Sequence, residues 1–393
     1  MAENGDLVEH GDLAYAKRKI NLARLEESEI SPVIQSLTLQ EGQDDICLLQ
    51  LNAEILSNIS EGQVLTIRGD ANDSAVICTK SSTYELKDAE TSNSLLLLPD
   101  MFWPETCENG EMKVVPQTVN GIFHNYYELR SFKPSFKKLR SLLELKPYQG
   151  KEYEDPEDLN DKFTFEMLLD TIQASEEELK TELMQSQACL INGYVRVLEF
   201  DYKFSVFSSI LDVIESRSIP LNKILKEPII ESLKDLEPKE ILEECFSWFS
   251  EKTGEVDENG HEVFALKEDS ICKLYAEVLL RSSGKFNLHD FLESWQRSVP
   301  EGMKCDLKQL RGLALTDLTG RPEVIFHFPS QNLPENIKER FELLFKVKKK
   351  WEFEEIVPYL EDRTYPGNDV KALLIKYTRE STKDGKKMYN SKW

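Results

Sequence analysis

The sequence has no long apolar segment. No uninterrupted apolar stretch is longer than four residues, as in the leucines at positions 95–98, whereas a membrane-spanning helix needs about 18 or more apolar residues. Residues 1–11 are polar and acidic, although a secretory signal requires a basic start followed by an apolar region. The sequence therefore predicts a chain that neither spans a membrane nor carries a secretion signal.

Cysteine and histidine are few and scattered. The seven cysteines are an odd number, the closest two are 27 residues apart, and no C-x-x-C pair occurs. This spacing predicts buried thiols in a reducing compartment rather than a disulfide framework. The five histidines are also far apart and lack the short spacing of metal ligands, so we expect no metal site.

Glycine-rich catalytic loops are also missing. Gly284-Lys285 resembles the end of a phosphate-binding loop, but Leu279 stands where the leading glycine belongs and Phe286 where Ser or Thr belongs. Neither G-x-G-x-x-G nor G-x-S-x-G occurs. The tripeptide Arg68-Gly69-Asp70 is interpreted as a strand end and turn rather than an adhesion motif. We therefore expect a non-catalytic protein without a cofactor.

The charge is strongly negative but unevenly distributed. The chain of 393 residues has a net charge of −23, and an acidic surface repels the phosphate backbone of nucleic acids. Residues 363–393, however, contain eight Lys or Arg and three Asp or Glu, a local charge of +5, which leaves −28 for the remainder. This asymmetry predicts a basic tip on an acidic body.

The first third of the chain has the pattern of a small β domain. We expect residues 1–43 to be poorly ordered or helical, with a short helix near 15–25, and residues 44–147 to form a β-barrel-like, partner-binding domain. The domain contains too few other elements to cover the edges and faces of its apolar strands, so we expect partner chains to complete the sheet. The predicted strands are 47–51, 63–68, 75–79, 83–87, 94–98 and 121–130, with a loop at 101–120 and a basic helix at 137–146.

An acidic linker at 148–160 separates this domain from a region of helical periodicity. Helices followed by strands are typical of winged helices, and we predict three: 161–260 with a helical extension, 261–330 and 331–393. Capping signals mark several helix starts: Ser175 with Glu178, Asn287, and Asp306 with Gln309. The predicted fold class is therefore α+β, with several domains.

Two groups of charged residues are candidate sites. A winged helix places its third helix in the DNA major groove and its wing on the backbone. The basic residues at those places of the last winged helix are Lys371, Lys376, Arg379, Lys383, Lys386 and Lys387. The alternative is a merely solubilising basic surface. The acidic residues Glu176, Glu177 and Glu178 would repel phosphate, so we expect the first winged helix to bind a protein.

Several segments along nearly the whole chain, from about residue 53, form an ordered series of motifs. They are Ile67-Arg68-Gly69-Asp70, Tyr84-Glu85-Leu86-Lys87, Thr91-Ser92-Asn93, Asn125-Tyr126-Tyr127-Glu128-Leu129-Arg130, Gln173-Ala174-Ser175-Glu176-Glu177-Glu178, Gly193-Tyr194-Val195-Arg196-Val197-Leu198-Glu199-Phe200-Asp201-Tyr202, Ser298-Val299-Pro300-Glu301-Gly302-Met303, Arg321-Pro322-Glu323-Val324-Ile325-Phe326 and Tyr389-Asn390-Ser391. In this order they are similar to the "defective in sister chromatid cohesion" family. The family pattern has an aromatic residue where this chain has Val195, and residues 1–40 match it poorly.

The resemblance implies a nuclear subunit of an alternative replication factor C clamp loader. Its implied partners are chromosome transmission fidelity proteins eighteen and eight, which share a β-barrel with its N-terminal half, and the small replication factor C subunits. Its three winged helices would contact DNA and the catalytic subunit of polymerase epsilon. The complex loads or unloads the sliding clamp and supports cohesion, with the ATPase in other subunits.

Without the resemblance, the residues also fit a transcription regulator. Such a protein would combine winged helices with a β dimerisation domain of its own. The isolated β domain of a regulator should fold as a homodimer, whereas that of a clamp-loader subunit should not.

Overall fold

The structure, a computed structural model, has a mixed α+β fold, which confirms the expected class; its sheets include a curled half-barrel. It describes residues 5–26, 30, 33–39, 46–69, 73–99, 101, 103, 113–155, 157–318, 320–364, 368–383 and 385–392. No helix in these ranges is long and apolar enough to cross a membrane.

The described residues form 13 α-helices and 18 strands. The helices are α1 (Gly5–Ala23), α2 (Ala53–Ser60), α3 (Lys137–Leu145), α4 (Phe165–Thr171), α5 (Glu176–Gln185), α6 (Phe200–Ser216), α7 (Lys226–Leu233), α8 (Lys239–Phe249), α9 (Glu268–Ser282), α10 (Leu288–Ser298), α11 (Ile337–Val347), α12 (Phe353–Ile356) and α13 (Val370–Tyr377). The strands are β1 (Val33–Leu39), β2 (Leu49–Gln50), β3 (Thr66–Arg68), β4 (Val76–Cys78), β5 (Thr83–Leu97), β6 (Lys113–Val119), β7 (Gly121–Ser131), β8 (Ala188–Ile191), β9 (Tyr194–Val197), β10 (Ile224–Leu225), β11 (Ser250–Val256), β12 (Glu262–Leu266), β13 (Phe286–Asn287), β14 (Ala314–Asp317), β15 (Val324–His327), β16 (Lys350–Glu352), β17 (Thr378–Lys383) and β18 (Lys386–Ser391).

The chain divides into two compact units. The first consists of Met1–Gln63 and Glu85–Arg130, and the second of Val64–Tyr84 and Ser131–Trp393. The hairpin of β3 and β4 thus belongs to the second unit, although the sequence analysis placed it with the β domain. The turn expected at Gly69-Asp70 lies partly outside the described residues, which omit 70–72.

The first unit contains strands where the sequence indicated none. Strand β6 occupies the second half of the segment that was predicted to be a loop, and it pairs in parallel with β1, from Val33 opposite Lys113 to Leu39 opposite Val119. That loop prediction was wrong because the pairing partner is about 80 residues away, so the local prolines dominated the pattern. The two strands predicted at 83–87 and 94–98 are parts of the single strand β5.

A helix also interrupts the predicted β region. Helix α2 begins after Asn52, whose side chain accepts a hydrogen bond from the amide of Ile55 at 2.8 Å, and Ile55 is its one buried residue. Asparagine is a favourable residue at this position because it satisfies an amide that has no partner within the helix.

Few hydrophobic side chains of the first unit are buried. Each of the three clusters of buried hydrophobic residues within the described ranges lies in the second unit. Ile55 and Val119 of the first unit are buried, but many of its large apolar side chains are more than a third exposed. These include Leu37, Leu39, Leu56, Ile59, Leu95, Leu96 and Ile122.

The second unit repeats one order of elements three times. Each set contains a helix, a short strand, further helical segments and a hairpin, and its strands lie in the order first, third, second. The sets span residues 200–266, 268–327 and 337–391. Helices α4 and α5 with the hairpin of β8 and β9 precede them. Most of the first set falls in the segment predicted as a winged helix with a helical extension, 161–260, whose boundary at 260 lies in the turn between β11 and β12.

Local capping signals predicted helix starts well. Ser175 and Glu178 form a complete capping box at α5, and Asn287 caps α10 through its side chain. Asp306 and Gln309 also form a capping box, but the element that follows is a four-residue 3₁₀ helix, Leu307–Leu310.

Candidate nucleic-acid interface

Helix α13 exposes two of the six basic residues that the sequence analysis assigned to DNA. The carboxylate of Asp369 accepts a hydrogen bond from the amide of Ala372 at 2.8 Å and starts the helix. Leu373 and Leu374 are buried, which turns Lys371 and Lys376 toward solvent.

Arg379 lies on a strand rather than on this helix. Helix α13 ends at Tyr377, and the hydroxyl of Thr378 donates to the carbonyl oxygen of Leu374 at 2.6 Å. Strand β17 begins at Thr378, so the exposed Arg379 side chain belongs to the hairpin. The hairpin of β17 and β18 is present as expected, with Lys383 opposite Lys386 at its end. The turn residue Asp384 and the side chain of Lys383 lie outside the described residues.

The two remaining lysines are already paired within the chain. Lys386 contacts Glu352 of β16 at 3.0 Å, and Lys387 contacts Glu380 of β17 at 2.9 Å. In each case the hydrogen bond to the carboxylate raises the pKa of the lysine above its ordinary value. Because side chains alternate along a strand, these neighbours point to opposite faces of the sheet. The ammonium group of each lysine must give up its contact with a carboxylate before it can bind a phosphate.

The face that carries Lys386 holds a row of basic and amide side chains. In the three-stranded register, Asn390 of β18 lies opposite both Lys350 of β16 and Arg379 of β17. The Asn390 amide donates to the carbonyl oxygen of Arg379 at 3.3 Å and to the hydroxyl of Ser381 at 2.7 Å, which orients it within the sheet. In the sequence, Lys350 is the last residue of a lysine-rich segment at 346–350. Only the register reveals that it is a neighbour of Arg379.

Lys350, Lys371, Lys376 and Arg379 are exposed and make no ion pair among the residues that the structure describes, and the same holds for Lys346 and Lys349. The ammonium of Lys348, by contrast, contacts Glu355 at 2.7 Å. The unpaired cations require no internal bond to break before they meet an anion, so they fit phosphate contacts better than Lys386 and Lys387.

The three glutamates at the start of α5 do not form one exposed binding surface. Glu178 accepts hydrogen bonds from the Ser175 amide at 3.0 Å, the Ser175 hydroxyl at 2.7 Å and the Thr83 hydroxyl at 2.6 Å. Glu176 forms an ion pair with Lys180, which lowers the pKa of its carboxyl. The Glu177 side chain is exposed. Of these three glutamates, Glu177 is therefore the best placed for a partner.

Arg68 of β3 forms hydrogen bonds with α4 and with the residues just before α5, all within the second unit. Its guanidinium donates to the carbonyl oxygens of Leu169 and Ala174, and the amide of Gln173 donates back to the carbonyl oxygen of Arg68 at 3.2 Å. The arginine of the adhesion-like tripeptide thus has a structural role. Asp70 lies outside the described residues.

No metal centre is evident in the part of the chain that the structure describes. No group of three or more His, Cys, Asp or Glu side chains in those residues is arranged to hold a metal ion.

Comparison with known proteins gives a consistent result. The model of a family described as sister chromatid cohesion protein Dcc1 matches residues 46–360. A human protein named sister chromatid cohesion protein DCC1 is 40% identical over 381 residues, which span 95% of this chain and 96% of the human protein. A Saccharomyces cerevisiae protein of the same name is 24% identical over 364 residues, 84% of this chain and 92% of the yeast protein.

Proposed function

This chain belongs to the Dcc1 family of sister chromatid cohesion proteins, and from that premise we propose that it is a non-catalytic, nuclear subunit of an alternative replication factor C clamp loader. In this role it acts in DNA replication and cohesion and assists loading or unloading of the sliding clamp. The observation that carries the proposal is the similarity to cohesion proteins across both units of the chain.

The first unit is the proposed assembly surface. Its exposed apolar side chains and the absence of a buried hydrophobic cluster among its described residues support the need for partner strands. We assign those strands to chromosome transmission fidelity proteins eighteen and eight, which would join this chain to the small replication factor C subunits.

The second unit is the proposed bridge to DNA and to polymerase epsilon. We interpret its repeated helix and hairpin sets as winged helices, the last of which presents the unpaired cations to duplex DNA. The acidic start of α5 is the proposed contact with the polymerase. Glu177→Lys tests that contact, because Glu178 holds the capping box and its substitution would also disturb the helix. Unchanged polymerase binding of Glu177→Lys would remove the support for this surface.

Affinity purification of the full-length chain from nuclear extract, followed by mass spectrometry, tests the assignment as a whole. We expect the two chromosome transmission fidelity proteins and the small replication factor C subunits in stoichiometric amounts, and polymerase epsilon in smaller amounts. Recovery of a homodimer without clamp-loader subunits would instead favour a transcription regulator with its own β dimerisation domain.

A further inference from the structure

Helix α13 carries one large apolar side chain that does not pack into the core. Leu373 and Leu374 of this helix are buried in the hydrophobic cluster of the last set, which Ile375 does not join. Ile375 is 77% exposed, whereas Val347, at 38%, is the next most exposed large apolar side chain among the described residues of that set. The Ile375 side chain is therefore available to a ligand.

The surroundings of Ile375 distinguish it from the single exposed aliphatic residues that are common on protein surfaces. Lys371 lies one helical turn before it, so the two side chains share a face of α13. Lys376 follows it directly, and the exposed Arg379 lies four residues later on β17. The ammonium of Lys392 donates to the carbonyl oxygens of Ile375 at 3.2 Å and of Lys376 at 3.1 Å, which adds a fourth cation. A ligand that fits this surface must combine negative charge with an apolar group.

Duplex DNA offers both properties to a single helix. Phosphates border the major groove, and the C5 methyl group of thymine projects into it. A winged helix places its third helix in that groove, and in the last set this helix is α13. Helix α13 contains no Asn or Gln, which are the usual readers of adenine, so apolar contact with the methyl group is its remaining means of reading an A·T pair.

We propose that Ile375 is a specificity-determining residue, which contacts the C5 methyl group of a thymine while the cations around it bind the DNA phosphates. This role rests on the proposed binding of DNA by the last winged helix. Burial of one methyl group against an aliphatic side chain corresponds to a gain in affinity of about two- to fourfold for each thymine that is read. The preference is small because the phosphate contacts supply most of the affinity.

Replacement of thymine by uracil tests the proposal, because it removes the methyl group and leaves the phosphates and the base pairing unchanged. Fluorescence anisotropy measures the affinity of the full-length chain for a labelled alternating A·T duplex. The second duplex has deoxyuridine in place of every thymidine, and both are measured at the same low salt concentration. We expect the wild type to bind the thymine duplex about two- to fourfold more tightly, and Ile375→Ala to bind both duplexes equally.

Two further variants separate base reading from other effects. Lys376→Ala should weaken binding to both duplexes and leave their ratio unchanged, because a phosphate contact does not depend on the base. Ile375→Leu keeps an aliphatic side chain of the same size and should retain a preference for thymine. Ile375→Ala should remain folded, because the side chain is exposed and alanine is the better helix former, and circular dichroism checks this.

The assignment of Ile375 is wrong if the wild type binds both duplexes equally, or if Ile375→Ala keeps the preference of the wild type. In both cases DNA binding is still measured, so the proposed function stands without this residue. If the wild type binds neither duplex, the proposed role of the last winged helix in DNA binding fails, and the role of Ile375 fails with it.

Discussion

Glu177 and Glu178 are adjacent in the sequence, but their side chains have different surroundings. The Glu178 carboxylate is the acceptor for Ser175 and Thr83, whereas the Glu177 side chain is exposed and its backbone amide donates to the carbonyl oxygen of Lys80 at 3.1 Å. The run of three acidic residues is therefore not one uniform surface. Sequence reasoning identified the capping box because Ser175 and Glu178 are three residues apart, but it could not reveal the contact with Thr83.

We expect Glu178→Ala to lower the free energy of unfolding by about 1–2 kcal/mol, because it removes half of the capping box and leaves the Thr83 hydroxyl without this acceptor. Glu177→Ala is the matched control and should change the free energy of unfolding by less than about 0.5 kcal/mol. Urea denaturation followed by circular dichroism measures both. Equal effects of the two substitutions would contradict this difference in roles.

Glu154 gives the stability a dependence on pH. Burial alone would raise the pKa of its carboxyl, but hydrogen bonds from Arg196 at 2.8 Å and contact with Lys162 at 2.9 Å outweigh burial and lower the pKa. A carboxyl whose pKa is lower in the folded than in the unfolded state stabilises the folded protein. This contribution is complete above the unfolded pKa, about 4.3, and it is lost as the pH falls through the folded pKa.

Glu154→Gln should therefore be less stable than the wild type at pH 7, and the difference should shrink as the pH falls below about 4. The measurement is the free energy of unfolding of both proteins in urea from pH 6 to pH 3. Parallel curves for the two proteins over this range would show that Glu154 does not titrate as its contacts require.

At the scale of elements, helix α13 and the last hairpin together carry two kinds of cation, some unpaired and some in ion pairs. Lys371, Lys376 and Arg379 make no ion pair among the described residues, while Lys386 and Lys387 pair with Glu352 and Glu380. The sequence placed all five on the helix or wing of one winged helix. It could not separate them, because Glu352 is 34 residues from Lys386 and only the pairing of β16 with β18 brings the two together.

For DNA we expect weak binding with little sequence preference, and a steep fall of affinity with salt. Each neutralised phosphate contributes about 0.9 to the log–log slope, so the triple variant Lys371→Ala, Lys376→Ala, Arg379→Ala should flatten it by roughly two to three units. Folding should persist because the buried residues of α13 are Leu373 and Leu374. Fluorescence anisotropy of labelled duplex DNA with the full-length chain measures the slope.

The matched control is the double variant Lys386→Ala, Lys387→Ala. Its effect should be below about one unit of slope, because both ammonium groups must leave a carboxylate before they bind phosphate. An unchanged slope in the triple variant would show that the tip only increases solubility. The DNA assignment would then move to Lys308 and Arg311, of which Arg311 already contacts Glu354 at 2.7 Å.

At the scale of the whole molecule, the two units differ in how they bury apolar surface. The second unit holds all three clusters of buried hydrophobic residues within the described ranges, and it also includes the segment Val64–Tyr84. Val76, Ile77 and Cys78 of that segment are buried. A cut after residue 130 therefore removes them from the second unit and leaves them in a fragment with few buried apolar residues of its own.

We expect the fragment 44–130 to aggregate when it is expressed alone and to become soluble with the two chromosome transmission fidelity proteins, because partner strands would cover its apolar strands. Size-exclusion chromatography with light scattering and a thermal melt measure this, with the full-length chain as the control. A monodisperse monomer of the fragment that melts cooperatively would contradict the expectation, and a homodimer would favour the regulator.

The sequence by itself determined the features that depend on neighbours within one or two turns. The helix starts at Ser175 and Asn287, and the hairpin between Lys383 and Lys386, follow from side chains a few residues apart. The mixed fold class and the family also came from the sequence, because amphipathic periodicity and ordered motifs are properties of the chain alone.

Only the tertiary structure decided the features that join distant segments. These are the parallel pairing of β1 with β6, the complete helix and hairpin set at 200–266, and the ion pairs of Lys386 and Lys387. The set was missed because its hairpin strand β11, Ser250–Val256, has Val256 as its one apolar residue and so shows no pattern of alternation. Pairing between segments far apart in the chain has no local signal, since it depends on burial and register that exist only after folding.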